Sequence, residues 1–304
     1  MRSPKFERSE NLRWYHIPVL KNEVLEYLNP KPDKNFIDCT IGGGGHTKAI
    51  LEKNGPKGRV LGIELDAQLY EKILKLNIDR LILVHDSYTN LREITERKNF
   101  RSISGILFDL GLSNWHLKEG NRGFSFLKNE SLDMRYNSRS NLTVEKIVND
   151  FSEQEIEKIL KVYGEERFAK RISKKIVEER KKRKIQTTFQ LVGVIKKAVP
   201  DWYQHKKIHF ATKTFQALRI VVNKELENLK IALPQTLKIL ERNGRLIVIS
   251  FHSLEDRIVK NFLKENSKKG LIKILTKKPV RPSLEEVKKN PKARSAKLRS
   301  AIKL

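Results

Sequence analysis

Cysteine, methionine and acidic residues are all scarce in this chain. One cysteine, Cys39, stands among 304 residues. It can form no internal disulfide, and inside an apolar run it reads as a small buried hydrophobe. The histidines are few and scattered: His205, His209 and His252 lack the close spacing of a zinc site, so no metal is expected. No apolar stretch reaches the roughly eighteen residues of a membrane span, and the opening MRSPKFERSENLRW has no apolar leader region. A cytoplasmic protein without a membrane partner is expected. Asp and Glu number 36 against 63 Lys and Arg, a net charge of +27. Such a balance draws a protein to polyanions, nucleic acid first. A lysine-rich composition can also reflect AT-rich coding. The charge is unevenly spread, however, with sixteen cations and three acids in residues 257–304.

What is present is a glycine loop in an informative setting. Asn35-Phe36-Ile37-Asp38-Cys39 reads as a buried strand, Thr40-Ile41-Gly42-Gly43-Gly44-Gly45-His46 as a turn, and residues 47–53 as a helix. Strand, glycine turn and helix place backbone N–H groups where a ligand can approach without meeting a Cβ. A second strand over 59–65 ends near Glu64, an acid placed to accept the two hydroxyls of a ribose. Further strands are read at Leu81-Ile82-Leu83-Val84 and Gly105-Ile106-Leu107-Phe108, with helices at 68–76 and 90–98 between them. Short apolar runs alternating with helices specify a parallel, doubly wound α/β sheet.

That rhythm stops near Trp115. Helical patterns follow at 144–149, 152–163, 168–184 and 188–198, and Ser152 with Glu155 reads as a capping box. A long helix over 214–240, interrupted near Pro234, leads to a strand at 244–250, and 271–276 and 296–304 read as edge strands. The expected division is a nucleoside-binding domain in residues 1–114 and 214–304, the latter with a basic C-terminal tail. An all-helical insertion, 115–213, lies between them on the rim where a lid over a cofactor would sit.

The loop lacks the third glycine of a dinucleotide fingerprint, since Lys48 occupies that place. A mononucleoside cofactor fits better than a nicotinamide dinucleotide. Asp38-x-x-x-Gly42-x-Gly44 has the spacing by which methyltransferases meet the amino-acid end of S-adenosylmethionine, with Asp86 or Tyr88 near the adenine. Asp109, after the fourth strand, is placed to accept an N–H from an amine nucleophile and take its proton. Its plainer reading is a helix N-cap. Three more strings resist a packing explanation: Asn121-Arg122-Gly123-Phe124-Ser125-Phe126 with Leu132-Asp133-Met134-Arg135; Thr214 to Ile220 with Asn223 and Glu225; and Ile249 to Arg257. Arginines and aromatics in loops suit phosphate contact and base stacking. The alternative is that Phe124, Phe126 and Phe215 are core residues and Glu225 pairs with Arg219.

The chain resembles the RsmH (MraW) family of bacterial 16S ribosomal RNA cytosine-N4 methyltransferases nearly end to end. The strings that carry the likeness are His16-x-Pro18-Val19-Leu20, Gly42 to His46, Asp109-Leu110-Gly111, Arg122 to Phe126, Leu132 to Arg135, Tyr163 to Arg167, Phe215 to Ile220, Ser250 to Arg257 and Arg294 to Arg299. The resemblance implies a Rossmann-like class I methyltransferase sheet with an inserted helical domain for RNA recognition. It also implies methyl transfer from S-adenosylmethionine to the N4 amine of a decoding-centre cytosine, with the small ribosomal subunit or its late precursor as partner. Cofactor contacts then fall on Gly44, Gly45, His46, Glu64, Tyr88, Asp109 and His116, and catalysis on Asp109. The three strings themselves, and not the resemblance, make Arg122, Phe124, Arg135, Arg219, His252 and Glu255 the candidate substrate contacts. Glu64, Tyr88 and His116 stand where the family commonly has Asp, Phe and Gln, and Phe210 where it has proline. Two other readings remain open: a non-catalytic RNA-binding assembly factor, and an amino-methyltransferase acting on DNA. Oligomeric state is not legible.

Overall fold

The computed structural model describes residues 18–304. His16, in the first of the family strings, lies outside them. Seven strands form one sheet: β1 Asn35–Asp38, β2 Val60–Glu64, β3 Leu81–His85, β4 Ile103–Asp109, β5 Leu240–Ser250, β6 Ile272–Ile274 and β7 Lys297–Lys303. Their spatial order is β3-β2-β1-β4-β5-β7-β6. β1 to β5 run parallel, and β7 is antiparallel to both of its neighbours. Every residue of β2 is buried, as a strand covered on both faces requires. The chain steps outward from β1 to β3 and returns beside β1 as β4, which opens a crevice at the carboxyl ends of these strands. The expected α/β sheet is therefore present. No helix of the described residues is long and apolar enough to cross a membrane.

The helical insertion has its own core, in which Leu132, Val144, Ile159, Leu160, Ile172 and Leu191 pack with Phe215 and Leu218. The Ser152–Glu155 capping box forms as read. Phe210 enters this core, and His209 stacks on Phe126 with centroids 4.6 Å apart.

The helical core takes in Phe215, Leu218 and Val222, which lie beyond residue 213. Two expectations change. The long helix breaks at Lys224 (φ 50°) into Thr212–Asn223 and Glu225–Ile239, not at Pro234. The break is held by Asn223, whose amide donates to the Met134 carbonyl (2.7 Å) and accepts from Tyr136 N–H (2.8 Å). Pro234 and Lys230 are both exposed, so the carbonyl that loses its helical donor faces water. Finally, the basic C-terminal segment is no tail. β7 lies inside the sheet between β5 and β6, with Leu298, Ser300 and Ala301 buried. Arg299 and Lys297 pair with Asp256, Arg299 Nε at 2.6 Å and Lys297 Nζ at 3.4 Å.

Candidate active site

The glycine loop begins where β1 ends. The Asp38 carboxylate accepts Thr40 N–H at 3.2 Å and the Thr47 hydroxyl at 2.8 Å, which ties the loop to the helix Gly45–Asn54. Asp38 is 1% exposed and therefore shapes the loop from behind. Gly42 (φ 50°) and Gly44 (φ 75°) are left-handed, a conformation in which a side chain would be strained. Gly44 caps the helix, and its N–H donates to the Ile41 carbonyl at 2.7 Å. Gly42, Gly43, Gly45 and His46 line one lobe of the crevice with Asp109 and Phe251.

The larger lobe is an open cleft of about 820 Å³ lined by Glu64, Asp86, Tyr88, Asp109, His116 and Glu255, among others. Glu64 closes β2. Gly42 N–H (3.2 Å) and Asp66 N–H (2.8 Å) each donate to a different oxygen, which orients the carboxylate and leaves it further lone pairs. Burial is the main influence on it and pushes its pKa up to about 7. Tyr88 stands edge-on to Phe108, centroids 5.6 Å apart. Asp86 is held by Asn90 and Arg97, each at 2.9 Å; burial opposes ionisation, but these hydrogen bonds outweigh it and lower the pKa.

Asp109 closes β4, two strands from Glu64. Its backbone N–H donates to the Thr40 hydroxyl at 2.7 Å, and His46 Nε2 lies 3.7 Å from its Oδ2. Among the described residues its Oδ1 is buried without a hydrogen bond. Burial first, then the charges of Asp38 and Glu255, push its pKa up to about 8. The helix-cap reading of Asp109 does not hold, because the next helix, Asn114–Lys118, is capped by the Ser113 hydroxyl. Asp109 is thus a half-buried carboxyl on the cleft wall, with one buried oxygen that has no hydrogen-bond partner among the described residues.

Beside Glu64, Asp66 anchors a network that sequence reasoning missed. Its side chain caps the helix Ala67–Leu74, pairs with Arg122, and meets His116 Nε2 at 3.2 Å. The other ring nitrogen of His116 meets the Ser113 hydroxyl at 2.8 Å. Burial, the largest influence, lowers the His116 pKa against the pull of Asp66 and favours the neutral ring. An Asp two residues before a helical pattern was the available signal, and it was overshadowed by Glu64.

The remaining expected substrate residues are placed unevenly. Arg122 also donates to the Arg135 carbonyl at 2.8 Å, and Arg135 forms a bidentate pair with Asp133 at 2.7 and 2.8 Å. Phe124 is a core residue, stacked on Tyr136 at 5.2 Å. These three are committed within the protein rather than presented at an open face. Arg219 pairs bidentately with Glu225 at 2.8 and 3.0 Å, which was the plainer expectation for it. Glu255 is 3% exposed and lines the cleft, while His252 meets it from behind at 3.1 Å. Opposite stand Tyr136 and Asn223, with Glu225 and Asn228 of the helix Glu225–Ile239, so segments far apart in sequence share the cleft. Of these, only Asn223 and Glu225 were legible, as polar groups on an apolar helix.

Among the described residues, Glu225, His252 and Glu255 bring their ligand atoms within 4.8 Å of one another. Arg219 already neutralises Glu225, and Glu255 accepts Phe251 N–H at 2.8 Å and His252 N–H at 3.3 Å, the latter closing a capping box with His252. The cluster is accounted for without a cation.

The sequence model of the MraW methylase family matches residues 13–304. A ribosomal RNA small subunit methyltransferase H from Thermotoga neapolitana is 48% identical over 293 residues, covering 94% of this chain and 95% of that protein. One from Clostridium botulinum is 43% identical over 310 residues, covering 96% and 100%. A solved rRNA methylase from Streptococcus thermophilus has a TM-score of 0.42 at 11% identity, with 93% of each chain covered.

Proposed function

The chain belongs to the MraW methylase family, and on that premise we propose that it methylates the N4 amine of a decoding-centre cytosine in 16S ribosomal RNA. S-adenosylmethionine is the methyl donor, and the small ribosomal subunit or its late precursor is the acceptor. The curated relatives are named as small subunit rRNA methyltransferases, which supports this substrate.

The residues of the cleft fit that cofactor. Glu64 keeps lone pairs for two ribose hydroxyls, Tyr88 offers a ring for the adenine, and Gly45 and His46 face the lobe where an amino-acid end would lie. When bound, the sulfonium supplies an electrophilic methyl and a neutral thioether leaving group. Asp109 accepts an N–H of the cytosine amine and takes its proton, relieving the delocalisation that makes an exocyclic amine a poor nucleophile. Glu255, Asn223 and Tyr136 bound the space for the base, with His252 and Arg219 positioning Glu255 and Glu225 from behind. His116, neutral and tied to Asp66, holds the wall. Arg122, Phe124 and Arg135 fix the insertion against the cofactor domain.

Asp109 carries this reading: a half-buried carboxyl whose Oδ1 has no hydrogen-bond partner among the described residues, two strands from the ribose acid, in one cleft. The test is tritiated methyl transfer to small subunits lacking the modification, with the product nucleoside identified by mass spectrometry. N4-methylcytidine is expected. Another product, or transfer to DNA in preference to the subunit, overturns the proposal.

A further inference from the structure

The helical insertion carries an aromatic and cationic surface that the cleft does not use. Trp202, in the short helix Asp201–Gln204, is 49% exposed. Its ring is nonetheless fixed. It meets Phe168 and Tyr203 edge-on at 5.9 and 5.8 Å. Tyr203 is buried, and its hydroxyl donates to the Glu166 carboxylate at 2.9 and 3.1 Å. A half-exposed indole braced from below is a rigid flat platform, and a large ring left in water at such a place marks an interaction surface.

Exposed cations surround it. Arg167 Cζ lies 5.7 Å from the Trp202 centroid and Lys206 Nζ 4.7 Å from it, while Arg171 Cζ is 5.7 Å from Phe168. The ion pairs of the helix Ala169–Lys182 are gathered further along, where Lys175 meets Glu178 and Glu179, and Lys182 and Lys197 meet Glu179. The cations around Trp202 face rings instead. A flat ring with exposed cations over it matches one nucleotide: a base that stacks on the indole as those side chains turn aside, and phosphates for them to neutralise.

The surface is also tied to the cleft wall. Glu165, two residues before Arg167, accepts the Ser253 hydroxyl at 2.9 Å and Arg257 Nη2 at 3.1 Å. Ser253 opens the helix Ser253–Lys268, which carries Glu255 of the cleft wall.

Resting on the RNA methyltransferase reading above, we propose that Trp202, with Arg167, Arg171 and Lys206, is a stacking platform for an unpaired RNA base outside the reaction cleft. The indole takes the base and the cations take the adjoining phosphates.

The test measures anisotropy of fluorescein-labelled oligocytidylate on the full chain across a salt series, for wild type, Trp202→Ala, Trp202→Phe and the double variant Arg171→Glu with Lys206→Glu. S-adenosylmethionine affinity and melting temperature are followed in parallel. Trp202→Ala is expected to weaken RNA binding about 5- to 150-fold, the range for losing one stacked base, with Trp202→Phe retaining most of it. The double variant is expected to weaken binding and flatten the salt slope. Wild-type RNA affinity in Trp202→Ala, or equal losses for Ala and Phe, overturns the platform. Should Trp202→Ala also lower the melting temperature, the exposed double variant decides, and its unchanged affinity overturns the proposal. Displacement of the RNA by polyglutamate at equal charge overturns stacking in favour of a general polyanion patch. Wild-type methyl transfer to small subunits, run alongside, separates failure of the platform from failure of the enzymatic reading.

Discussion

Glu64 and Asp109 look into one cleft from the carboxyl ends of β2 and β4, with β1 between them. Burial raises both, to about 7 and about 8. A cationic cofactor arriving between two such carboxyls favours their ionised forms and expels protons. S-adenosylmethionine affinity should therefore rise from pH 6 to pH 8.5. Calorimetry in two buffers of different ionisation enthalpy should reveal proton release. S-adenosylhomocysteine, which lacks the sulfonium charge, should show a weaker dependence. Buffer-independent heats for both ligands would contradict the coupling.

Asp109→Asn should abolish methyl transfer while stabilising the free protein in alkali. The folded pKa of about 8 lies above the usual carboxylate value, so this group favours folding below pH 4 and that contribution is lost as pH rises through 8. Asparagine cannot ionise and escapes the loss. The variant should gain ~1–3 kcal/mol over wild type at pH 9, and the gap should close near pH 4. The catalytic loss should be about 100-fold or more. Melting curves at both pH values, with methyl transfer at pH 8, check the pair of expectations. A variant that melts lower than wild type at pH 9 would show that Asp109 is a structural acid.

Asp66→Ala removes a helix cap and leaves Arg122 without its buried partner. Destabilisation of ~3–5 kcal/mol is expected. The backbone N–H of residue 66 that orients Glu64 survives the substitution, so cofactor affinity should fall less than stability. Hydrogen exchange should quicken in residues 114–118 and 122–136, which Asp66 ties to the sheet through His116 and Arg122. Exchange unchanged in those segments would remove Asp66 as the tie between the two units.

A chain ending at Lys278 loses β7, the strand that pairs with both β5 and β6. It should lose cooperative melting and cofactor binding, not RNA affinity alone. A truncated protein that melts cooperatively and binds S-adenosylmethionine normally would make the segment dispensable to the fold.

Much of the sheet was legible because parallel strands buried on both faces write themselves as short apolar runs. β1 to β5 all lie where such runs occur. The capping box at Ser152 is similarly local. β7 was read as a strand, but at an edge and in a basic tail, because Lys297, Arg299 and Lys303 look solvated; it lies between β5 and β6. Arg299 is instead buried against Asp256 of a helix far away in sequence. Phe124, Arg122 and Arg135 suited RNA equally well as isolated residue types, and only their partners show them turned inward.

The sequence by itself determined the α/β class, the glycine cradle and the acids Glu64 and Asp109, because strand burial, left-handed turns and strand-end placement are local consequences of residue type. Only the tertiary structure decided which charges are spent inside the protein and which face the cleft. Pairing across long separations, such as Asp66 with Arg122 or Asn223 with Met134, follows from how the insertion packs on the sheet. No spacing along the chain encodes it.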